Sequence, residues 1–185
     1  MGQCWNVWCI FGTLSYPIHS LFEITFWIID MKKDAVLSEC GKYRFALWRL
    51  WDESKPYAMI IGLNPSTADD KEDDPTITRC INFAQSWGYG GLCMANLFAF
   101  RAIDPSDMFA ATDPIGPKND EWLISLSKAA GIVVAAWGND GTYLGRSKEI
   151  IRLISNMHYL KLNATGEPAH PLYLKGTLQP TPLEL

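Results

Sequence analysis

Between residues 57 and 163, short apolar runs alternate with amphipathic stretches that repeat every three to four positions. The apolar runs fall at 58–63, 92–98, 131–136 and 159–163, each bounded by turn-forming residues. Runs of this kind read as strands covered on both faces, as in parallel sheets. After the first, Ile77, Cys80, Ile81, Ala84 and Trp87 share one side of a predicted helix. Asp74 suits its N-cap and Pro75 its first position, and Gly88-Tyr89-Gly90-Gly91 stops it. Further helices are predicted over 119–129 and 143–155. Upstream, Tyr43, Phe45, Leu47 and Arg49 alternate with Arg44, Ala46, Trp48 and Leu50, the period of a strand. The stretch 101–117 is a polar connection, and the tail from 166 to 185 reads mostly as loop.

Strands alternating with helices imply right-handed crossovers. The expected fold is therefore α/β and three-layered: a central four-stranded parallel sheet flanked by helices, in one domain over residues 31–185. Residues 1–30 differ from the rest: they are rich in aromatics, carry no Lys or Arg, and include Pro17. They lack the basic start of a secretory signal, and polar residues interrupt any membrane span. Met31-Lys32-Lys33 is a natural start, so residues 1–30 read either as a translated leader or as an extension packed on the domain.

Sixteen basic and twenty acidic residues give a formal charge of −4. That argues against a generally basic nucleic-acid coat but not against a local basic groove. Five acids, Asp69, Asp70, Glu72, Asp73 and Asp74, lie in one loop. A solvated loop, a Mg²⁺ site of clustered carboxylates and a catalytic contribution are all open for them. Cysteines at 4, 9, 40, 80 and 93 form no CxxC and no zinc spacing, so reduced thiols in a cytoplasmic protein are expected. GxGxxG, GxxxxGK[ST] and GxSxG are absent, which removes the common nucleotide-binding and hydrolase fingerprints.

Ligands of open α/β sheets bind beyond the carboxyl ends of the strands. Four polar signatures stand there: Asn64-Pro65, Asn96, Trp137-Gly138 and His170-Pro171. Each has an ordinary reading as well. Asn64-Pro65 suits a simple turn, Asn96 and His170 suit structural hydrogen bonds, and Trp87 and Trp137 suit packing. Phe98, Phe100 and Tyr89 are candidates for stacking on a base.

Gly62-Leu63-Asn64-Pro65-Ser66-Thr67-Ala68-Asp69, Trp87-Gly88-Tyr89-Gly90-Gly91, Asn96-Leu97, Arg101, Trp137-Gly138 and Gly166-Glu167-Pro168-Ala169-His170-Pro171-Leu172 together resemble an uncharacterised bacterial and phage family, over about residues 43–180. More distantly, the order of these motifs is similar to the uracil-DNA glycosylase superfamily. That resemblance implies a DNA glycosylase, a monofunctional hydrolase of base excision and base flipping, acting on DNA as a monomer with no membrane association. It implies that Asn64 positions water, aided by Asp69 or Asp74, that Asn96 reads the flipped base, and that His170 stabilises the departing anion. Gly62, Leu63, Pro65, Ser66, Thr67, Phe98 and Arg101 would complete the substrate pocket. Pro171, Leu172 and Tyr173 would wedge the duplex, while Arg79, Arg101 and Lys175 would hold phosphates. No metal or organic cofactor is called for.

Two departures from the superfamily pattern sharpen the expectation. Asn64 stands where the most active uracil enzymes have Asp, and an amide cannot take a proton from water. Ser66 stands where uracil-specific enzymes have a bulky Tyr that excludes pyrimidines substituted at C5. The expected substrate is a C5-substituted pyrimidine, such as glucosylated hydroxymethylcytosine of phage DNA, leaving an abasic site in antiviral defence. The alternatives are a hydrolase of free nucleotides and a non-catalytic nucleic-acid-binding module.

Overall fold

The computed structural model describes residues 31–66 and 72–184. Seven strands form one sheet: β1 (Lys32–Leu37), β2 (Arg44–Leu50), β3 (Tyr57–Gly62), β4 (Gly91–Asn96), β5 (Ile132–Ala135), β6 (Met157–Tyr159) and β7 (Thr181–Pro182). The helices are α1 (Pro75–Ser86), α2 (Pro105–Phe109), α3 (Asn119–Ala129) and α4 (Arg146–Leu153). The strand order is β1-β2-β4-β3-β5-β6-β7. The four strands β4-β3-β5-β6 run parallel, whereas β2 joins β4, β1 joins β2 and β7 joins β6 antiparallel. The sheet is thus mixed and seven-stranded, not the four-stranded parallel sheet expected; the parallel set is its centre.

Alternation explains the burial of that centre. In β3, Met59 and Ile61 enter one core with Cys93, Ala95 and Trp137, while Ile60 enters the other with Leu92 and Met94. Helix α1 covers the second face through Ile77, Cys80, Ile81 and Phe83. Leu123 and Leu126 of α3 and Ile150 of α4 cover the first. Asp74 Oδ1 accepts from Ile77 N at 2.8 Å and caps α1, with Pro75 opening it. The cap and apolar face of α1 are those predicted.

Several boundaries differ from expectation: β4 ends at Asn96 rather than 98, α4 at Leu153 rather than 155, and α2 lies within the stretch read as a polar connection. Strand β6 lies at Met157–Tyr159 rather than 159–163, because Val133, Val134 and Ala135 of β5 pair with Met157, His158 and Tyr159. The segment expected to begin a helix at 143 starts as a 3₁₀ turn, Asn139–Gly145, and kinks at Leu144 (φ 53°) before α4. The tail is not all loop: Pro171–Tyr173 form a 3₁₀ turn and Thr181–Pro182 add the last strand. Cys80 and Cys93 are buried and Cys40 is exposed, all three with free thiols. Among the described residues, no helix is long and apolar enough to cross a membrane. Residues 1–30 lie outside the described residues.

Candidate functional site

Gly62 and Asn96 end adjacent parallel strands and are register partners. Beyond them the chain turns out of the sheet on both strands. Asn96, Met94 and Gly62 lie on the face that α1 covers, and the first turn of α1 meets them there. The result is a cavity of about 100 Å³ lined by Arg44, Gly62, Asn64, Ser66, Asp74, Thr76, Ile77, Met94, Asn96 and His170. Of the signatures expected to converge, Asn64, Asn96 and His170 meet in this one cavity, and Asp74 joins them.

Each polar group is held by different neighbours. Asn64 Nδ2 donates to Ala102 O at 3.0 Å and to Pro65 O at 3.2 Å. Both partners are acceptors, which fixes the orientation of the amide and leaves Oδ1 as the atom offered to a ligand. Asp74 uses Oδ1 to cap α1, and Oδ2 accepts from Ser66 Oγ at 2.5 Å. The Ser66 hydroxyl is thereby drawn toward the carboxylate.

Asn96 is 2% exposed, and its Oδ1 is buried without a hydrogen-bond partner among the described residues. Its backbone is braced from the opposite face. Asn119 Nδ2 donates to Asn96 O and Leu97 O at 3.2 and 3.0 Å, and Arg146 Nε donates to Leu97 O at 3.1 Å. Both bracing side chains are buried, and Arg146 is paired with Asp120 and Glu149.

His170 stands on a loop tied to the end of β5. Trp137 Nε1 donates to Glu167 Oε2 at 2.7 Å, Ser147 Oγ donates to Glu167 Oε1 at 3.1 Å, and Gly138 N donates to Pro168 O at 2.8 Å. The Trp137-Gly138 signature therefore does not line the cavity; it anchors the loop that brings His170 there. Burial pushes the imidazole pKa below its usual 6.5, an effect partly opposed by the Asp74 carboxylate. His170 Nδ1 is buried without a partner among the described residues.

Several expected site residues lie elsewhere. Leu63 points across the sheet and packs on the other core, because neighbouring strand residues face opposite ways. Pro65 is buried, with its carbonyl receiving Ala102 N and Asn64 Nδ2. Phe98 is fully buried with its ring 5.7 Å from that of Tyr143, so it offers no face to a base. Tyr89 donates to Gly131 O at the opposite edge of the sheet. Arg79, expected to hold a phosphate, donates to Leu174 O and lies 5.1 Å over the Phe83 ring, fastening the tail to α1. Pro171 is buried, Leu172 half-buried, and Tyr173 and Lys175 exposed. Arg101 lines a second cavity beside the first. Thr67 and Asp69 lie outside the described residues.

In the acidic loop, Asp73 Oδ1 accepts from Arg49 Nε at 2.6 Å, pairing a fully buried guanidinium, and Oδ2 accepts from Lys33 Nζ at 3.3 Å. Among the described residues, no group of three or more His, Cys, Asp or Glu is placed to hold a metal.

The sequence reading missed Arg44, Thr76, Ile77 and Met94. Arg44 is 2% exposed and lines the cavity because β2 runs antiparallel, which carries its first residue to the carboxyl edge of β4. A guanidinium has donors only, so it favours an acceptor on any ligand there. A charged residue opening a mostly apolar strand was the available signal.

A family described as a protein of unknown function, DUF1643, matches residues 44–172. No curated protein and no solved structure matches the chain.

Proposed function

We propose that the chain, which belongs to the DUF1643 family, is a DNA glycosylase. It hydrolyses the N-glycosidic bond of a flipped, C5-substituted pyrimidine and leaves an abasic site. One observation supports this reading: the buried Asn96 carboxamide, its Oδ1 unpartnered among the described residues, lines a cavity together with Asn64, Asp74 and His170. Leaving a buried polar group unsatisfied costs about 1–3 kcal/mol, a cost removed when a ligand supplies the partner. A carboxamide donates and accepts side by side, which matches the edge of a pyrimidine. The volume also suits a single ring: about 100 Å³ is well below the ~300–1,000 Å³ of sites for drug-sized ligands.

The chemistry follows from the groups present. Asn64 Oδ1 accepts a hydrogen bond from water and aims its oxygen at C1′ of the sugar. The Asp74 carboxylate takes the water proton as the new C–O bond forms. The C1′–N bond breaks, and its electron pair departs on the base. His170 is held neutral by burial and donates one N–H to the exocyclic O2 of the base, where that negative charge collects. The Asp74 charge opposes the positive charge that develops on the sugar. This assignment gives the amide at position 64 orientation and gives the carboxylate the proton transfer an amide cannot perform.

Extruding a base costs a few kcal/mol. Tyr173, 85% exposed and 6.2 Å from the His170 ring, is the side chain best placed to fill the vacated stack, with Leu172 behind it and Lys175 near a phosphate. The distant resemblance of the motif order to the uracil-DNA glycosylase superfamily is the source of this division of roles. Excision of a base found only in phage DNA would serve antiviral defence.

Incubating the purified protein with modified and unmodified phage DNA and probing for abasic sites tests the reading. Abasic sites in the modified DNA are expected; their absence from both overturns it.

A further inference from the structure

Beside the base cavity lies a larger one, about 380 Å³, lined by Gly41, Lys42, Ser66, Phe100, Arg101, Ala102 and Ile103. Ser66 lines both. Its hydroxyl is drawn to Asp74 at 2.5 Å, so one small, tethered side chain faces both spaces. The far wall is rigidly joined to the catalytic end: Ala102 N donates to Pro65 O, and Ala102 O accepts from Asn64 Nδ2, each at 3.0 Å.

The lining chemistry is specific. Arg101 and Lys42 are donors only. Arg101 Nη1 is spent on Gly41 O at 3.2 Å, while its Nε is buried without a partner among the described residues. Phe100, whose ring is braced edge-on by Tyr43 at 5.9 Å, adds an apolar surface, and Ile103 stands at the rim, 79% exposed. Acceptor atoms to meet Arg101 and Lys42, with a face of C–H groups to lie on Phe100, describe a hydroxyl-rich ring substituent such as a hexose.

We infer that this second cavity is the subsite for the C5 substituent of the excised base, reached past Ser66, and that it selects a hydroxyl-rich group through Lys42 and Arg101. The inference rests on the glycosylase reading above. It also accounts for a base cavity too small to hold such a substituent itself.

The same cations would equally suit a DNA phosphate, and the two roles respond differently to substitution. A phosphate contact weakens action on every substrate alike, whereas a substituent contact alters the preference among bases. The test measures single-turnover base release from one duplex carrying, at the same position, cytosine, 5-hydroxymethylcytosine or its glucosylated form. Wild type is compared with Arg101→Ala and with Lys42→Ala, the latter removing an exposed side chain and leaving the fold intact. The expected result is that the rate ratio of glucosylated to hydroxymethylated substrate falls at least tenfold in both variants. An unchanged ratio with uniformly slower release overturns the subsite while leaving the glycosylase reading standing. No release from any of the three by wild type overturns both.

Discussion

A Cβ added to Gly62 would stand 3.0 Å from Asn96 Nδ2 and 2.9 Å from Met94 Cε. The glycine ending β3 is the space in which the Asn96 amide of β4 sits. Its backbone is ordinary extended strand, so the requirement is one of room and not of φ. Gly62→Ala should therefore leave the fold in place and displace the amide. Since misplacement by about 1 Å costs as much as 10²-fold in rate, base release should fall at least tenfold while the melting temperature moves by only a few degrees. Parallel kinetics and thermal scans check this.

Asp74 does two jobs that one substitution separates. Asn at this position still caps α1 through its one oxygen, and the NH2 in place of Oδ2 donates to Ser66 Oγ, but the side chain cannot take a proton. Asp74→Asn should keep the melting temperature near that of wild type and lower the base-release rate by roughly 10²-fold or more, the usual contribution of a general base. If the rate survives, the proton goes elsewhere, with Asp69 the alternative that the family resemblance offers.

The Glu167 carboxylate joins the end of β5 to the His170 loop through Trp137 and Ser147. Glu167→Ala leaves the buried indole N–H unsatisfied, a loss of about 1–3 kcal/mol. At about 2–4 °C per kcal/mol for a chain of this size, the melting temperature should drop by several degrees. Glu167→Gln retains an acceptor oxygen and should recover part of that loss. Calorimetry of the two variants against wild type decides it.

Much of this arrangement was legible in the sequence, and the failures have physical causes. The cap, first turn and apolar face of α1 were written in Asp74, Pro75 and the helical spacing of Ile77, Cys80 and Ile81. The parallel strands showed as short apolar runs. Strand β1 did not show, because Lys32, Lys33 and Asp34 begin an exposed edge strand with little apolar signal. The antiparallel direction of β2 is a tertiary fact, and with it went Arg44. Leu63 was assigned to the site although the strand period places it opposite Gly62. Phe98 failed differently: β4 ends at Asn96, so counting by twos no longer holds beyond it.

The pH response follows from His170. Its pKa is depressed below 6.5 in the folded protein, chiefly by burial, so below about 6.5 the unfolded chain binds more protons than the folded one. Stability is then fully present above that pH and declines as pH falls toward the folded-state pKa. NMR titration of the imidazole should give a midpoint below 6.5, and His170→Phe should reduce the loss of stability on acidification from pH 7 to 5. A midpoint above 6.5 would mean that the Asp74 charge outweighs burial.

The central claim is that Asn96 reads a base extruded from DNA. Mass spectrometry of the bases freed from a duplex bearing one C5-substituted pyrimidine tests it most directly, with wild type and Asn96→Ala run side by side. The account predicts free substituted base from wild type and at least ~10²-fold less from the variant, as expected when a buried reading group is lost from a fitted site. Equal release by the two proteins, or no free base from either, would contradict it.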